Sequence, residues 1–272
     1  MRRFKKIVYW LVLLYIAALL GLYFYQEKVL FQPQELPQNY TYSFKNNFNE
    51  FFLTAKDEVA LNGIHFKSIS PKGVVLYFHG NAGNLQRWGE IVSLFVDKQY
   101  DVIIMDYRGY GKNKSSITEK KLYTDAQLFY NYAAEKYSEN DIIVYGRSLG
   151  TGIAVKIASE NHPRNLILET PYYNLKDVAK NWFPYFPVGL LLKYKIPSNR
   201  FIQNVRCPIA IYHGTNDKVV PYSSGKLLFE SIPGSSKEMF TIANGSHNNL
   251  SAYNEYTMTI DRVLNNRIGK GH

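Results

Sequence analysis

The run Ile142-Ile-Val-Tyr-Gly-Arg-Ser-Leu-Gly-Thr-Gly152 is a short apolar, β-branched stretch that stops abruptly at Gly146-Arg-Ser-Leu-Gly150. Followed by Ile153-Ala-Val-Lys-Ile-Ala-Ser159, it predicts a buried strand turning sharply into a helix, with Ser148 presented at the turn. The glycine spacing has a steric cause. A residue at the apex of such a turn holds strained backbone angles, and side chains two positions to either side would strike the adjoining strand and helix. Gly146 and Gly150 remove those side chains. Five residues with three fixed also arise by chance, so the reading depends on what the rest of the chain supplies.

Outward from that turn, strand and helix signals alternate. Val74-Val-Leu-Tyr-Phe78 is nearly all apolar, as a central parallel strand is. Helical patterns over 84–98, 118–137, 151–160 and 222–231 alternate with strand patterns at 102–105, 142–145, 166–168, 209–212 and 238–242, and a last helix covers 248–265. Phe51-Phe-Leu and Ile64-His-Phe within 48–69 read as an antiparallel edge hairpin. This alternation predicts an α/β fold, with a mostly parallel central sheet and helices on both faces.

The amino terminus carries a different signal. Met1-Arg-Arg-Phe-Lys-Lys6 precedes residues 7–25, an uncharged apolar stretch with Tyr9, Trp10, Tyr23 and Tyr25 near its ends. That is close to the roughly 20 residues that cross a bilayer, and aromatic ends suit its interfaces. Residues 7–25 are thus expected to form a transmembrane signal anchor. A cleaved signal peptide is the competing reading, but its apolar region is usually about 7–15 residues, and Leu22-Tyr-Phe-Tyr-Gln-Glu27 offers no small-x-small cleavage site. Basic residues concentrated in segment 1–6 place the amino terminus in the cytoplasm and the rest outside, in the periplasm if the cell has one. Residues 26–47, with Gln32-Pro-Gln-Glu-Leu-Pro-Gln-Asn39, read as a linker, and 48–272 as the catalytic-type domain.

Composition narrows the alternatives. At 46% hydrophobic and 15% aromatic residues, disorder is excluded and a sizeable core is available. The net charge of +10 is spread among acids and asparagines without a nucleic-acid motif, so no nucleic-acid partner is expected. Cys207 is the single cysteine, which excludes an internal disulfide and a cysteine-only metal cluster. No HExxH or comparable ligand spacing is present, and Asp106-Tyr-Arg-Gly-Tyr-Gly111 lacks the GxGxxG spacing. No metal or cofactor is expected, and Asp106–Gly111 reads as a structural loop beside the site.

A serine hydroxyl at neutral pH needs an imidazole to accept its proton and a carboxylate to hold that imidazole in the useful tautomer. Among six histidines, His272 is terminal, His162 precedes Pro163, His65 lies in the hairpin, and His79 and His213 end strands in His-Gly. His247, in Asn244-Gly-Ser-His-Asn248, lies between the last strand and the last helix and suits a base reaching back to Ser148. Asp217, in the turn-rich loop after the strand at 209–212, is the candidate acid, although taken alone an Asx-turn or helix cap is the commoner role for such a residue. Glu169 is the alternative acid. The loop Phe78-His-Gly-Asn-Ala-Gly-Asn84 supplies backbone donors for a developing oxyanion, and the N–H groups of Asn81 and Leu149 are the candidates.

With these residues, the chain resembles the serine-hydrolase branch of the α/β-hydrolase superfamily, and more closely its membrane-anchored α/β-hydrolase-domain proteins. The resemblance is carried by Phe78–Asn84, Asp106–Gly111, Gly146–Gly152, Glu169-Thr-Pro171, His213–Asp217 and Gly245-Ser-His247, with Thr170 where similar proteins often have serine. It implies Ser148 as nucleophile, Asp217 as acid, His247 as base, Asn81 in the oxyanion hole, and hydrolysis of an ester or thioester, in some relatives a lipid-like acyl substrate. In such folds 171–208 holds a lid. The aromatic residues here, among them Trp182, Phe183, Tyr185 and Phe186, suit either a lid over an acyl pocket or ordinary packing. A peptidase with the same triad and a non-catalytic membrane-tethered binding protein are the rival functions. The anchor makes one prediction: the full-length protein stays in the membrane pellet through an alkaline carbonate wash, and its release at full length refutes the span.

Overall fold

The computed structural model describes residues 1–265, so His272 lies outside the described residues. A helix α1 (Arg2–Leu30) is followed by a short strand β1 (Gln32–Pro33) and the hairpin β2 (Phe48–Thr54) and β3 (Ala60–Phe66). Next come β4 (Val74–Phe78), β5 (Ala82–Gly83), α2 (Leu85–Asp97), β6 (Asp101–Met105), α3 (Glu119–Ala134), β7 (Ile142–Arg147) and α4 (Leu149–Glu160). After β8 (Asn165–Glu169) the insert forms three short helices, α5 (Leu175–Trp182), α6 (Val188–Leu191) and α7 (Ser198–Phe201). β9 (Ile209–Gly214), α8 (Tyr222–Ser231), β10 (Lys237–Ile242) and α9 (Asn254–Leu264) complete it.

The main sheet has eight strands in the order β10-β9-β8-β7-β4-β6-β3-β2. All neighbours are parallel except the hairpin β2/β3 and its junction β3/β6. The central strands read as unbroken apolar runs because both faces are covered. Along β4, Val74, Leu76 and Phe78 point into one core with Phe129 of α3 and Ile153 of α4. The alternate residues Val75 and Tyr77 meet Trp88 and Phe95 of α2 and Ile260 of α9 on the other face. The expected fold class and edge hairpin are therefore found. Several boundaries differ: α3 ends at Ala134 rather than 137, α4 begins at Leu149, directly after the serine, and α9 begins only at Asn254 because Leu250–Ala252 forms a separate 3-10 turn.

The segment expected as a linker at 26–47 is a correction. α1 continues to Leu30, beyond the apolar stretch at 7–25. Gln32 and Pro33 then pair in parallel with Ala82 and Gly83, and Glu35 bridges Gly111. Phe31 and Tyr42 are buried, and the Tyr42 hydroxyl donates to Asn62 Oδ1 at 2.9 Å. Two prolines and the lack of apolar periodicity suggested a linker, but widely spaced aromatics reach the core and hold the segment against the domain. α1 itself buries no residue and is the one helix, among the described residues, long and apolar enough to cross a membrane.

His65 of β3 is buried, 2.9 Å from the Tyr137 hydroxyl and 3.3 Å from that of Tyr132. Burial, aided by the Lys67 charge, holds its pKa down at about 4 from 6.5. The unfolded chain therefore takes up this proton first, so stability falls as pH drops from about 6.5 toward about 4, by on the order of 2–3 kcal/mol. His65→Gln removes the titrating ring, and the stability gap between wild type and H65Q, followed by thermal unfolding in detergent, is expected to shrink across that interval.

Candidate active site

Ser148 sits between β7 and α4 with φ 51° and ψ −118°, a left-handed conformation unusual for a residue with a side chain. Its N–H donates to the Glu169 carbonyl at 2.9 Å, so the end of β8 holds the turn in place. A Cβ on Gly146 would lie 2.6 Å from the Gly150 carbonyl oxygen and 2.7 Å from Ala154 Cβ. One on Gly150 would run into the Phe78 carbonyl and lie 2.7 Å from the His79 oxygen. The steric reason inferred for both glycines is thus realised in the contact between β7, α4 and the end of β4.

Asp217 and His247 come from the loops after β9 and β10 and converge on this turn. His247 Nε2 lies 2.9 Å from Ser148 Oγ, and His247 Nδ1 lies 2.7 Å from Asp217 Oδ2. The other carboxylate oxygen, Oδ1, accepts from the Val219 and Val220 N–H groups at 2.8 and 2.9 Å. Asp217 is buried. Burial pushes its pKa up, but hydrogen bonds from His213 and His247 and the Val220 N–H outweigh it and leave it below the ordinary carboxylate value. A carboxylate only accepts, so Nδ1 of His247 carries the proton and Nε2 is free to accept one from Ser148.

Glu169, the alternative acid, is occupied elsewhere. It accepts from the Tyr145 hydroxyl at 2.6 Å and lies 3.4 Å from Arg147 Nε. His213 proves to be a support for the acid: its Nε2 donates to the Val220 carbonyl at 3.0 Å and lies 3.4 Å from Asp217 Oδ2.

The loop after β4 is braced from below. The Asn81 carbonyl accepts from the Tyr110 hydroxyl at 2.6 Å and from the Gln32 N–H at 2.9 Å, and the His79 carbonyl accepts from the Tyr107 hydroxyl at 2.7 Å. Asp106 Oδ1 stands 3.4 Å from His79 Nε2 while its Oδ2 accepts from the Leu85 N–H. Arg108 ties the same loop to Asp125 and Asp57 at 2.6–3.0 Å. The Asp106–Gly111 loop expected beside the site is therefore its brace. Leu149 is the first residue of α4, so its N–H lacks an intrahelical acceptor. It shares with Asn81 the wall of the cavity that holds Ser148.

That cavity measures about 760 Å³. Insert residues Val178, Trp182, Phe183, Val188 and Leu191 form one side. Leu22, Tyr25, Gln26 and Val29 of α1 form another, a contribution that sequence reasoning missed because the 7–25 stretch of α1 is apolar on every face. Gln26 within that helix was the available signal. Arg87 and Arg147 also line the cavity, and among the described residues no Asp or Glu does.

Comparison with known proteins agrees with this architecture. The Hydrolase_4 family, described as serine aminopeptidase S33, matches residues 69–201. An uncharacterized protein, R595, of Acanthamoeba polyphaga mimivirus is 30% identical over 243 residues, spanning 80% of this chain and 82% of its own. Protein bem46 of Schizosaccharomyces pombe is 29% identical, spanning 90% and 88%. The lysophosphatidylserine lipase ABHD12 of Danio rerio is 29% identical over 61% of this chain, which spans 48%, about half, of that lipase. The esterase Pf2001 of Pyrococcus furiosus superposes with a TM-score of 0.68 at 19% identity, covering 88% of this chain and all of that one, a likeness of fold. With the family match, these identities and the shared fold, the chain is a member of the α/β-hydrolase superfamily, in the branch that includes the ABHD12 and bem46 proteins.

Proposed function

We propose that this ester-class hydrolase is a membrane-anchored serine hydrolase that cleaves carboxylic ester or thioester bonds of acyl substrates. The observation that carries the proposal is the hydrogen-bonded chain Asp217–His247–Ser148 opening into an apolar cavity. His247 Nε2 removes the Ser148 proton as Oγ attacks the acyl carbonyl. The N–H groups of Asn81 and Leu149 hold the oxyanion, His247 returns the proton to the departing alcohol or thiol, and water then releases the acid with His247 again as base. Asp217 stays ionised throughout and stabilises the imidazolium that forms.

The cavity lining favours acyl esters over peptides. An aminopeptidase has to hold the ammonium group of its substrate, for which a carboxylate in the cavity is the natural partner. Arg87 and Arg147 stand there instead, with the acid-free lining noted above. In this reading residues 7–25 anchor the chain with the amino terminus cytoplasmic and residues from 48 onward outside the cytoplasm. The four basic residues Arg2, Arg3, Lys5 and Lys6 before the span support that orientation.

Two measurements test the mechanism. A fluorophosphonate probe is expected to label the wild type and leave Ser148→Ala unlabelled; an equally labelled S148A refutes the nucleophile. Asp217→Asn is expected to lower kcat about 10⁴-fold with little change in KM, because the amide permits the wrong tautomer of His247. A loss under about tenfold assigns the acid's role elsewhere.

A further inference from the structure

We infer that the outer end of the anchor helix is a wall of the acyl site, and that the substrate is the acyl chain of a membrane-resident lipid, drawn sideways from the bilayer between α1 and the insert. This rests on the serine hydrolase reading above and names its substrate class. The anchor residues on the cavity are Gly21, Leu22, Tyr25, Gln26, Val29 and Leu30. Their spacing of i, i+1, i+4, i+5, i+8 and i+9 is a single stripe of an α-helix. A tether that only held the domain near the membrane would have no reason to give one face to the reaction cavity.

The insert is fastened to that helix. Gln26 Nε2 donates to the Leu191 carbonyl at 3.0 Å, and its Oε1 accepts from the Lys193 N–H at 2.8 Å. Lower down, the Tyr15 hydroxyl donates to the Tyr185 carbonyl at 3.2 Å, and the Tyr15 ring stacks on Phe186 with centroids 5.6 Å apart. Tyr15 precedes Tyr25 by ten residues, about 15 Å along a helix. A hydrocarbon core of about 30 Å takes about 20 residues, and the basic Arg2, Arg3, Lys5 and Lys6 keep the other end of the span in water. The tip of the insert therefore reaches to about the middle of the bilayer.

The tip is suited to that depth. Tyr185 and Leu190 are both 87% exposed, a state that lipid accommodates better than water. Backbone donors in hydrocarbon must be satisfied internally. Pro184 and Pro187 have none to satisfy. Phe186, Val188 and Leu190 donate to the carbonyls of Phe183, Phe186 and Pro187 at 3.2, 2.8 and 2.9 Å. An apolar cavity framed by a membrane helix and a membrane-seated insert, with Ser148 on its lining, takes its substrate from the lipid phase.

The test uses full-length protein in phosphatidylcholine vesicles with two substrates, 1-oleoylglycerol in the bilayer and water-soluble p-nitrophenyl butyrate. Gly21→Trp adds a ring at a position that lines the cavity, and an added Cβ there meets nothing within 4 Å; Phe24→Ala lies off the stripe, on an exposed face. The ratio of oleoyl to butyrate turnover is expected to fall about tenfold or more in G21W and to stay at the wild-type value in F24A. An unchanged ratio in G21W, an equal fall in F24A, or a wild type that cleaves butyrate but not the oleoyl lipid overturns the inference. Fluorophosphonate labelling of each variant separates the two failures. An unlabelled wild type means that the serine hydrolase reading fails, and a labelled enzyme with an unchanged ratio means that only the anchor wall does.

Discussion

The close approach of β7, α4 and the end of β4 at Ser148 is the constraint on which the site depends. A serine with positive φ is held there only because its N–H is bonded to β8 and because two glycines let three backbone segments meet. A strained residue of this kind costs on the order of 1–3 kcal/mol, which the buried apolar cores on both faces of the sheet offset. The strain has a use. It presents Oγ above the sheet, beside Leu149, the first residue of α4, on the wall of the same cavity.

Around that turn, buried polar groups fix the loops that would otherwise be mobile. His79 and Asp106, Arg108 with Asp125 and Asp57, and the hydroxyls of Tyr107 and Tyr110 all act on backbone at the carboxyl ends of β4 and β6. Burial raises the Asp106 pKa, and the nearby His79 ring and the Leu85 N–H hydrogen bond offset that only in part. Asp217 has the same protection from His213 and two backbone donors. Each group proposed for chemistry is therefore held by a second polar group that is itself buried, so little reorganisation is needed when charge develops.

Helix α1, the strap behind it and the insert form a second assembly on top of the first. Residues 31–42 run from the end of α1 to the core, pairing with the loop after β4 through Gln32 and Pro33 on the way. The apolar helix α1 and the geometry at the serine are thus linked through a few backbone bonds rather than separated by a flexible tether.

Much of this was legible in the sequence, because the rules that decide it are local. An apolar β-branched run, glycines two residues either side of a serine, and a 3.6-residue period behind it specify strand, turn and helix without reference to distant residues. The chain order of Ser148, Asp217 and His247 came from the same local reading of turns after strands. Their meeting did not: it joins residues 99 and 30 positions apart, and only the parallel sheet, which puts the ends of β7, β9 and β10 on one edge, brings them together. The choice between Asp217 and Glu169 was likewise tertiary, since both follow strands and only packing gives Glu169 to Tyr145 and Arg147. The sequence by itself determined that residues 7–25 form an apolar helix fit to span a membrane. Which face of that helix lines the cavity was decided by the fold, because in a helix apolar on every side the pattern holds no direction and only the contact with the insert supplies one.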